Sequence, residues 1–468
     1  MVAVRGDSKR DATGVLRCAV VGTLSVDGLN PYADFDFAHD VAKRQVFEPP
    51  VSKGDASLLQ VVDELSGGAL AGRLREDARL SDGTVVDAGM IASALNRSPW
   101  YQPLLDVTAR GDRVIFTPKG RAFDVRAFLS SDRVRFGVKQ GDAWLGTGPY
   151  RVVAATAEGI TLEANPHHPR LPSIGEVLLR GYDPVDACDR IRYDLGGEHI
   201  DLTAALSREE LADVRGVRKL FAAGTSTALL WLNTRVLSPG VRTAITKGID
   251  RYTVLATTYE NPMAFLAPSV LPPGQGTTRM RLPFERADAE RLLRESAAPA
   301  GPLRMIVVWG RRPYMPDPDQ WAAEIVRQLG ALGLVVEPVF TETLEDYQRK
   351  LATEDYAMVL GGWNAASPSP SEFADAMLHS SMVPKGPGSA GCNYAWVQDE
   401  AMDGALQQFR SMPSREAEQA LLQRVEEVAP VLPLAYGTTS IAARWDIEGI
   451  EPSDGAIFDL SRLRWSQT

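Results

Sequence analysis

Apolar runs of four to seven residues alternate along the chain with segments whose apolar positions recur at helical spacing, the pattern of buried strands alternating with amphipathic helices. LRCAVVG from Leu16 reads as a buried strand, and SVDGLNPYADFD after it carries the Gly, Asn, Pro and Asp residues of a loop leaving the strand's C-terminal end. DFAHDVAKRQVFEPP is helical in composition until Pro49 and Pro50, which lack amide donors and stop it. The segment 57–150 is mixed, with a helix expected at DAGMIASALNRS and a strand at RVIFTP, and it reads as an α/β insertion. YRVVAAT and GITLEAN, joined through Glu158 and Gly159, predict a hairpin. VLLRGY is a further strand, and DPVDACDRIRYDLGG is a helix ended by Gly196 and Gly197.

ALLWLNT is an apolar strand ending at Asn233 and Thr234, followed by a helix that Pro239 can begin. LRMIVVWG, the helix DQWAAEIVRQLGALG and the strand LVVEPVF spell a βαβ unit, and LEDYQRKLATEDYAMVLGGW repeats the pattern. Two consecutive crossovers imply a largely parallel sheet with helices on its faces. Two more helices, DEAMDGALQQFRSM and SREAEQALLQRVEEVA, precede the strand VLPLAY.

At 468 residues the chain is long enough for about three domains or two large lobes. Its 44% hydrophobic and 24% charged residues are those of a folded globular protein. With 50 Lys and Arg against 60 Asp and Glu, the formal charge of -10 disfavours nucleic acid and anionic membrane as partners. Cys18, Cys188 and Cys392 form no CxxC or Cys/His cluster, so no metal site is expected, and at most one disulfide could form. The five histidines are scattered apart from the adjacent pair His167 and His168. HExxH, GxSxG and GxxxxGK[ST] are all missing, so no catalytic residue and no cofactor is expected. The arginines near 280–295 stand among acidic residues and read as a solvated face. No apolar stretch approaches the roughly 20 residues of a membrane span. The first 13 residues hold Arg5, Lys9 and Arg10 without the apolar run of a secretory signal. Arg17 before Cys18 is too large for a lipoprotein processing site.

Five blocks, in order, resemble the family 5 solute-binding proteins of ATP-driven uptake systems, the oligopeptide, dipeptide and nickel binders. They are LREDARLSDGTVVDAGMIASAL, LGTGPYRVVAATAEGITLEANPHH, ALLWLNTRVLSPGVRTAITKGIDRYTVL, YAMVLGGWNAASPSPSEF and VAPVLPLAYG. The resemblance implies an α/β fold of the periplasmic-binding-protein-like class II (cluster C) type: two mixed-sheet lobes closing around a ligand cleft, plus a reduced extra subdomain. It implies lobe I at 15–56, 145–235 and 436–468, the subdomain at 57–144 and lobe II at 236–435. A monomer delivering a small-molecule ligand to an ABC permease is the expected role, and the subdomain is short enough to suggest a smaller pocket.

The same resemblance nominates ligand-binding residues. Trp363 and Asn364 end a predicted parallel strand, where open α/β sheets place their ligands. Trp231 and Asn233 border a crossover between lobes, Tyr436 ends the returning strand, and Phe47 with Glu48 stands where the family has Y-E-P-L. Where peptide binders carry an Asp for the ligand's α-ammonium group, this chain has Ala366. A buried ammonium without its carboxylate is costly by several kcal/mol, so a non-peptide, a blocked peptide or a modified metabolite is expected. With no visible signal, either the chain has lost one and works outside the cytoplasm, or it stays inside. The second case makes a cytoplasmic enzyme or carrier in a biosynthetic pathway, built on the same scaffold, the alternative. A sensor domain of a regulator is disfavoured, since no helix-turn-helix region precedes residue 15.

Overall fold

The computed structural model describes residues 14–32, 37–51, 57–98, 102, 104–119, 125–130, 134–156, 158–183, 186–208, 210–273, 275–297, 301–312, 314–353, 355–364, 369–384, 392–451 and 459–466. Two compact units form, one of Met1–Ala222 with Thr439–Thr468 and one of Ala223–Thr438. The chain passes between them inside the long strands Arg218–Leu232 and Val431–Ala443.

In the first unit the buried run Leu16–Val21 pairs in parallel with Glu176–Tyr182 and with the short strand Leu202–Thr203. Glu176–Tyr182 pairs antiparallel with Gly159–Ala164, the inner strand of the expected hairpin, whose outer strand Tyr150–Thr156 slips register between Val152 and Ala154. Leu16, Val20, Ile160, Leu162, Val177 and Leu179 form the core beneath them. A buried ionic knot ties this sheet together. Asp201 receives both Nε of Arg17 (3.0 Å) and the Arg17 main-chain amide (2.8 Å), and it also faces Arg444 at 3.3 Å.

The helix Phe37–Val46 ends before Pro49, for a reason the prolines alone do not give. Gly148 donates its amide to the Val46 carbonyl at 2.9 Å and so caps the helix end. A Cβ on Gly148 would overlap the Gln45 carbonyl, so the second glycine of GTGPY is there for close approach. The segment 57–144 holds a four-stranded antiparallel sheet in the order Leu59–Glu64, Leu70–Leu74, Arg113–Pro118, Leu105–Arg110. Helix Ala88–Asn96, capped by Asp87 accepting from the Met90 amide, packs Ile91 and Leu95 into a core with Val107, Val114 and Phe116.

In the second unit Val336–Phe340, Leu303–Val307 and Met358–Asn364 lie side by side and parallel, as the two crossovers predict. The sheet then turns mixed, because Arg218–Leu232 runs antiparallel to Met358–Asn364. Val431–Ala443 lies beyond it, with the Leu232 amide on the Pro430 carbonyl and Gly224 against Gly437. Val336–Phe340 is the outermost strand. The Val335 carbonyl accepts from Leu303, so alternate residues Val336, Pro338 and Phe340 turn their main-chain groups away from the sheet.

Helices Glu400–Ser411 and Arg415–Val428 are joined by Asp399, which caps the first through the Met402 amide and holds Arg424 of the second in a two-pronged pair at 3.0 and 2.6 Å. The hydrogen bond from Arg424 holds the Asp399 carboxyl below the usual carboxylate range. A carboxyl depressed by folding stabilises above its unfolded pKa of about 4 and loses that contribution as pH falls through the folded value. Asp399→Asn is therefore expected to lower stability at neutral pH and to flatten the acid limb of a Tm-against-pH curve below about pH 4; a parallel downward shift at every pH would show that the charge is immaterial.

Candidate functional site

Two parallel strands of the second unit, Leu303–Val307 and Met358–Asn364, end at the same edge of their sheet. That edge is where open α/β sheets offer main-chain groups and loops to a ligand. From the first strand the chain continues into Trp309, Gly310 at φ 61, and a tight bridge in which Arg312 and Met315 exchange amide-to-carbonyl bonds of 3.0 and 2.9 Å. The bridge turns the Arg312 guanidinium back over the Trp309 ring, 4.1 Å from its centroid. Arg312 is half-buried, and no carboxylate among the described residues pairs with it. A half-buried guanidinium stacked on an indole, with Nη1 donating to the Arg311 carbonyl at 3.2 Å, is a preorganised anion donor with a fork matched to a carboxylate.

Behind Trp309 runs a line of aromatic rings. Trp309 meets Tyr347 at 5.6 Å, Tyr347 meets Tyr394 edge-on at 6.1 Å, and Tyr394 meets Trp231 edge-on at 5.1 Å. The Tyr347 hydroxyl and the Trp231 ring close over Gly361. Burial pushes the Tyr347 and Tyr394 phenols well above their ordinary value, so both remain neutral donors throughout the physiological range. The arrangement can bind an anion at the guanidinium and apolar surface at the half-buried Trp309 ring, with Tyr347 and Trp231 buried behind it. Among the described residues no group of three His, Cys, Asp or Glu could hold a metal ion, and no helix is long and apolar enough to cross a membrane.

The residues nominated from sequence fall in several places. Trp363 and Asn364 are half-buried at the sheet edge just described, in register with Thr227 and Ser226. Ala366 lies outside the described residues. Trp231 is fully buried at the inner end of the aromatic line, and its indole N–H has no hydrogen-bond partner among the described residues. Asn233 is at the opposite end of its strand from that edge: its side chain donates to the Tyr356 carbonyl (2.9 Å) and accepts from the Arg235 amide (3.0 Å). Tyr436 donates its hydroxyl to the Leu271 carbonyl at 2.6 Å. Phe47, in the first unit, is 1% exposed and packs against Gly137 and Gly146. Glu48 beside it faces His168 at 3.2 Å and Arg75 at 3.7 Å.

Sequence reasoning passes over Trp309, Arg312, Tyr347 and Tyr394. One signal was available: WGRRPY directly follows a predicted parallel strand, the same strand-end position that singled out Trp363.

Residues 119–384 match the family described as bacterial extracellular solute-binding proteins, family 5. Among solved structures, the dipeptide-binding protein of Pseudoalteromonas sp. SM9913 in complex with Met-Leu is similar at TM-score 0.79 and 17% identity, over 96% of this chain and 100% of that one. The ABC transporter-associated periplasmic binding protein DppA of Helicobacter pylori, in complex with peptide STSA, is similar at TM-score 0.78 and 18% identity, over 97% and 98%. AgaA of A. tumefaciens R10, in complex with agropinic acid, is similar at TM-score 0.76 and 15% identity, over 97% and 99%. No curated protein matches by sequence. At such identities the likeness establishes the fold, a mixed α/β periplasmic-binding-protein-like architecture.

Proposed function

This chain belongs to the bacterial extracellular solute-binding proteins of family 5, and from that premise we propose that it captures a small organic anion for delivery to an ABC-type permease. The ligand carries a carboxylate and no free α-ammonium group. Arg312 is the observation that carries this reading: a half-buried guanidinium stacked on Trp309 at the end of a parallel strand, with no carboxylate of the described chain to neutralise it. Ala366 supports the second half, since the position offers no counter-charge to an ammonium. Trp363 and Asn364 share the sheet edge and would contact the same ligand, while Trp231 and Tyr394 would shape the apolar wall behind it.

On this reading capture proceeds by lobe closure around the ligand. Affinity then depends on how strongly the ligand favours the closed state over the open one. The family places such receptors outside the cytoplasm, and the protein would work there as a monomer without any chemical conversion. That AgaA binds agropinic acid while its relatives hold peptides is in keeping with a non-peptide anion on this fold.

Native mass spectrometry of protein purified from its own host tests the reading. The expected result is a retained species that, once released, esterifies at a carboxyl group and has no free primary amine. Recovery of an unblocked peptide would overturn it.

A further inference from the structure

The loop that carries Arg312 is held by one ring. Tyr314 is 6% exposed; its ring packs against Gly362 of Met358–Asn364, and its Cα and Cβ against Gly437 of Val431–Ala443. A Cβ on Gly362 would overlap the Tyr314 ring and come within 2.7 Å of the Thr227 carbonyl. A Cβ on Gly437 would overlap the Ser226 hydroxyl and stand 3.2 Å from the Tyr314 Cβ. Both glycines have ordinary backbone angles, so they are needed for room and not for conformation. Beside this seat, Arg312 and Met315 bracket Tyr314 with their paired bonds of 3.0 and 2.9 Å.

We propose that Tyr314, seated on Gly362 and Gly437, is the positioning residue that fixes the Arg312 guanidinium for the carboxylate of the ligand. The proposal deepens the Arg312 reading and rests on it. A tyrosine clamped from below cannot drift, and the short bridge transmits that constraint to its neighbour. Arg312 thus meets an anion with its long side chain already ordered, and binding is relieved of most of that ordering entropy. Burial pushes the Tyr314 phenol up while the adjacent Arg312 works against that rise, so the hydroxyl stays protonated and faces the cation as a neutral dipole.

The first measurement needs no ligand. In full-length protein with 15N-labelled arginine, the heteronuclear NOE at the Arg312 Nε, assigned through Arg312→Lys, should be that of an ordered group in the wild type and in Tyr314→Phe. It should fall to that of a free side chain in Tyr314→Ala and in Gly362→Ala, with circular dichroism confirming the fold of each. An unchanged value in both of these variants overturns the positioning role. The second arm is calorimetric titration with N-acetyl-Met-Leu and its C-terminal amide. Wild type and Tyr314→Phe should prefer the acid, and Tyr314→Ala should lose that preference by on the order of tenfold. Equal binding of acid and amide by the wild type would count against the Arg312 reading itself. A preference kept intact by Tyr314→Ala would count against Tyr314 alone.

Discussion

Asp201→Ala is expected to lower the stability of the first unit by about 3–5 kcal/mol, the scale for removing one partner of a buried ionic cluster. The carboxylate is 1% exposed and stands between Arg17, at 3.0 Å, and Arg444, at 3.3 Å. Its loss removes a shared counter-charge from two guanidiniums, of which Arg444 keeps its pair with Asp446 at 2.9 Å, and the Arg17 amide loses its carboxylate acceptor as well. The three residues come from the first strand, from the approach to Leu202–Thr203 and from the end of Val431–Ala443, so the knot closes segments far apart in sequence. For a unit of this size a loss on that scale lowers the melting temperature by roughly 10 °C. Calorimetry reads it directly. A drop under about 2 °C would mean that water reaches the site and the pair behaves as an exposed one.

Arg312→Gln is the second large effect, on binding. A charge-assisted hydrogen bond to a carboxylate contributes about 1.5–3 kcal/mol, so affinity for N-acetyl-Met-Leu should fall by roughly 10- to 150-fold. Affinity for the corresponding amide should hardly change, because glutamine still offers an amide donor over Trp309 while the charge is gone. The ratio of the two constants is the informative quantity. If both fall alike, Arg312 supports the pocket wall without selecting the charge of what enters it.

Most of the architecture is legible in the sequence because it depends on local pattern. LRMIVVWG and AMVLGGW are compact apolar runs, and the helices between them carry apolar residues at helical spacing, so both crossovers follow from periodicity. The two longest strands are read short. KLFAAGTSTA before Leu229 and GTTSIAA after Tyr436 mix small and polar residues, and neighbouring strands, not their own hydrophobicity, hold them extended.

The site is harder to read than the fold. Nothing local in GRRPY tells that Arg312 lies over Trp309, and Tyr314 acquires its place only from Gly362 and Gly437, which are remote in sequence. Trp231 and Phe47 stand out in sequence as large aromatics near expected ligand positions, yet each is almost wholly enclosed by its own unit. Aromatic identity marks burial and ligand contact alike, and only neighbours separate the two.

Pro338 on the outermost strand of the second unit has a consequence for crowding. Its missing amide falls on the side that faces away from Leu303–Val307, so a second chain approaching in register meets a gap in the ladder it would need to extend. On the first unit the outer strand Tyr150–Thr156 is spoiled differently, by the slip between Val152 and Ala154. Each of these two outermost strands therefore presents a rim with an interrupted ladder. At high protein concentration these two interruptions make both rims poor templates for fibrous association.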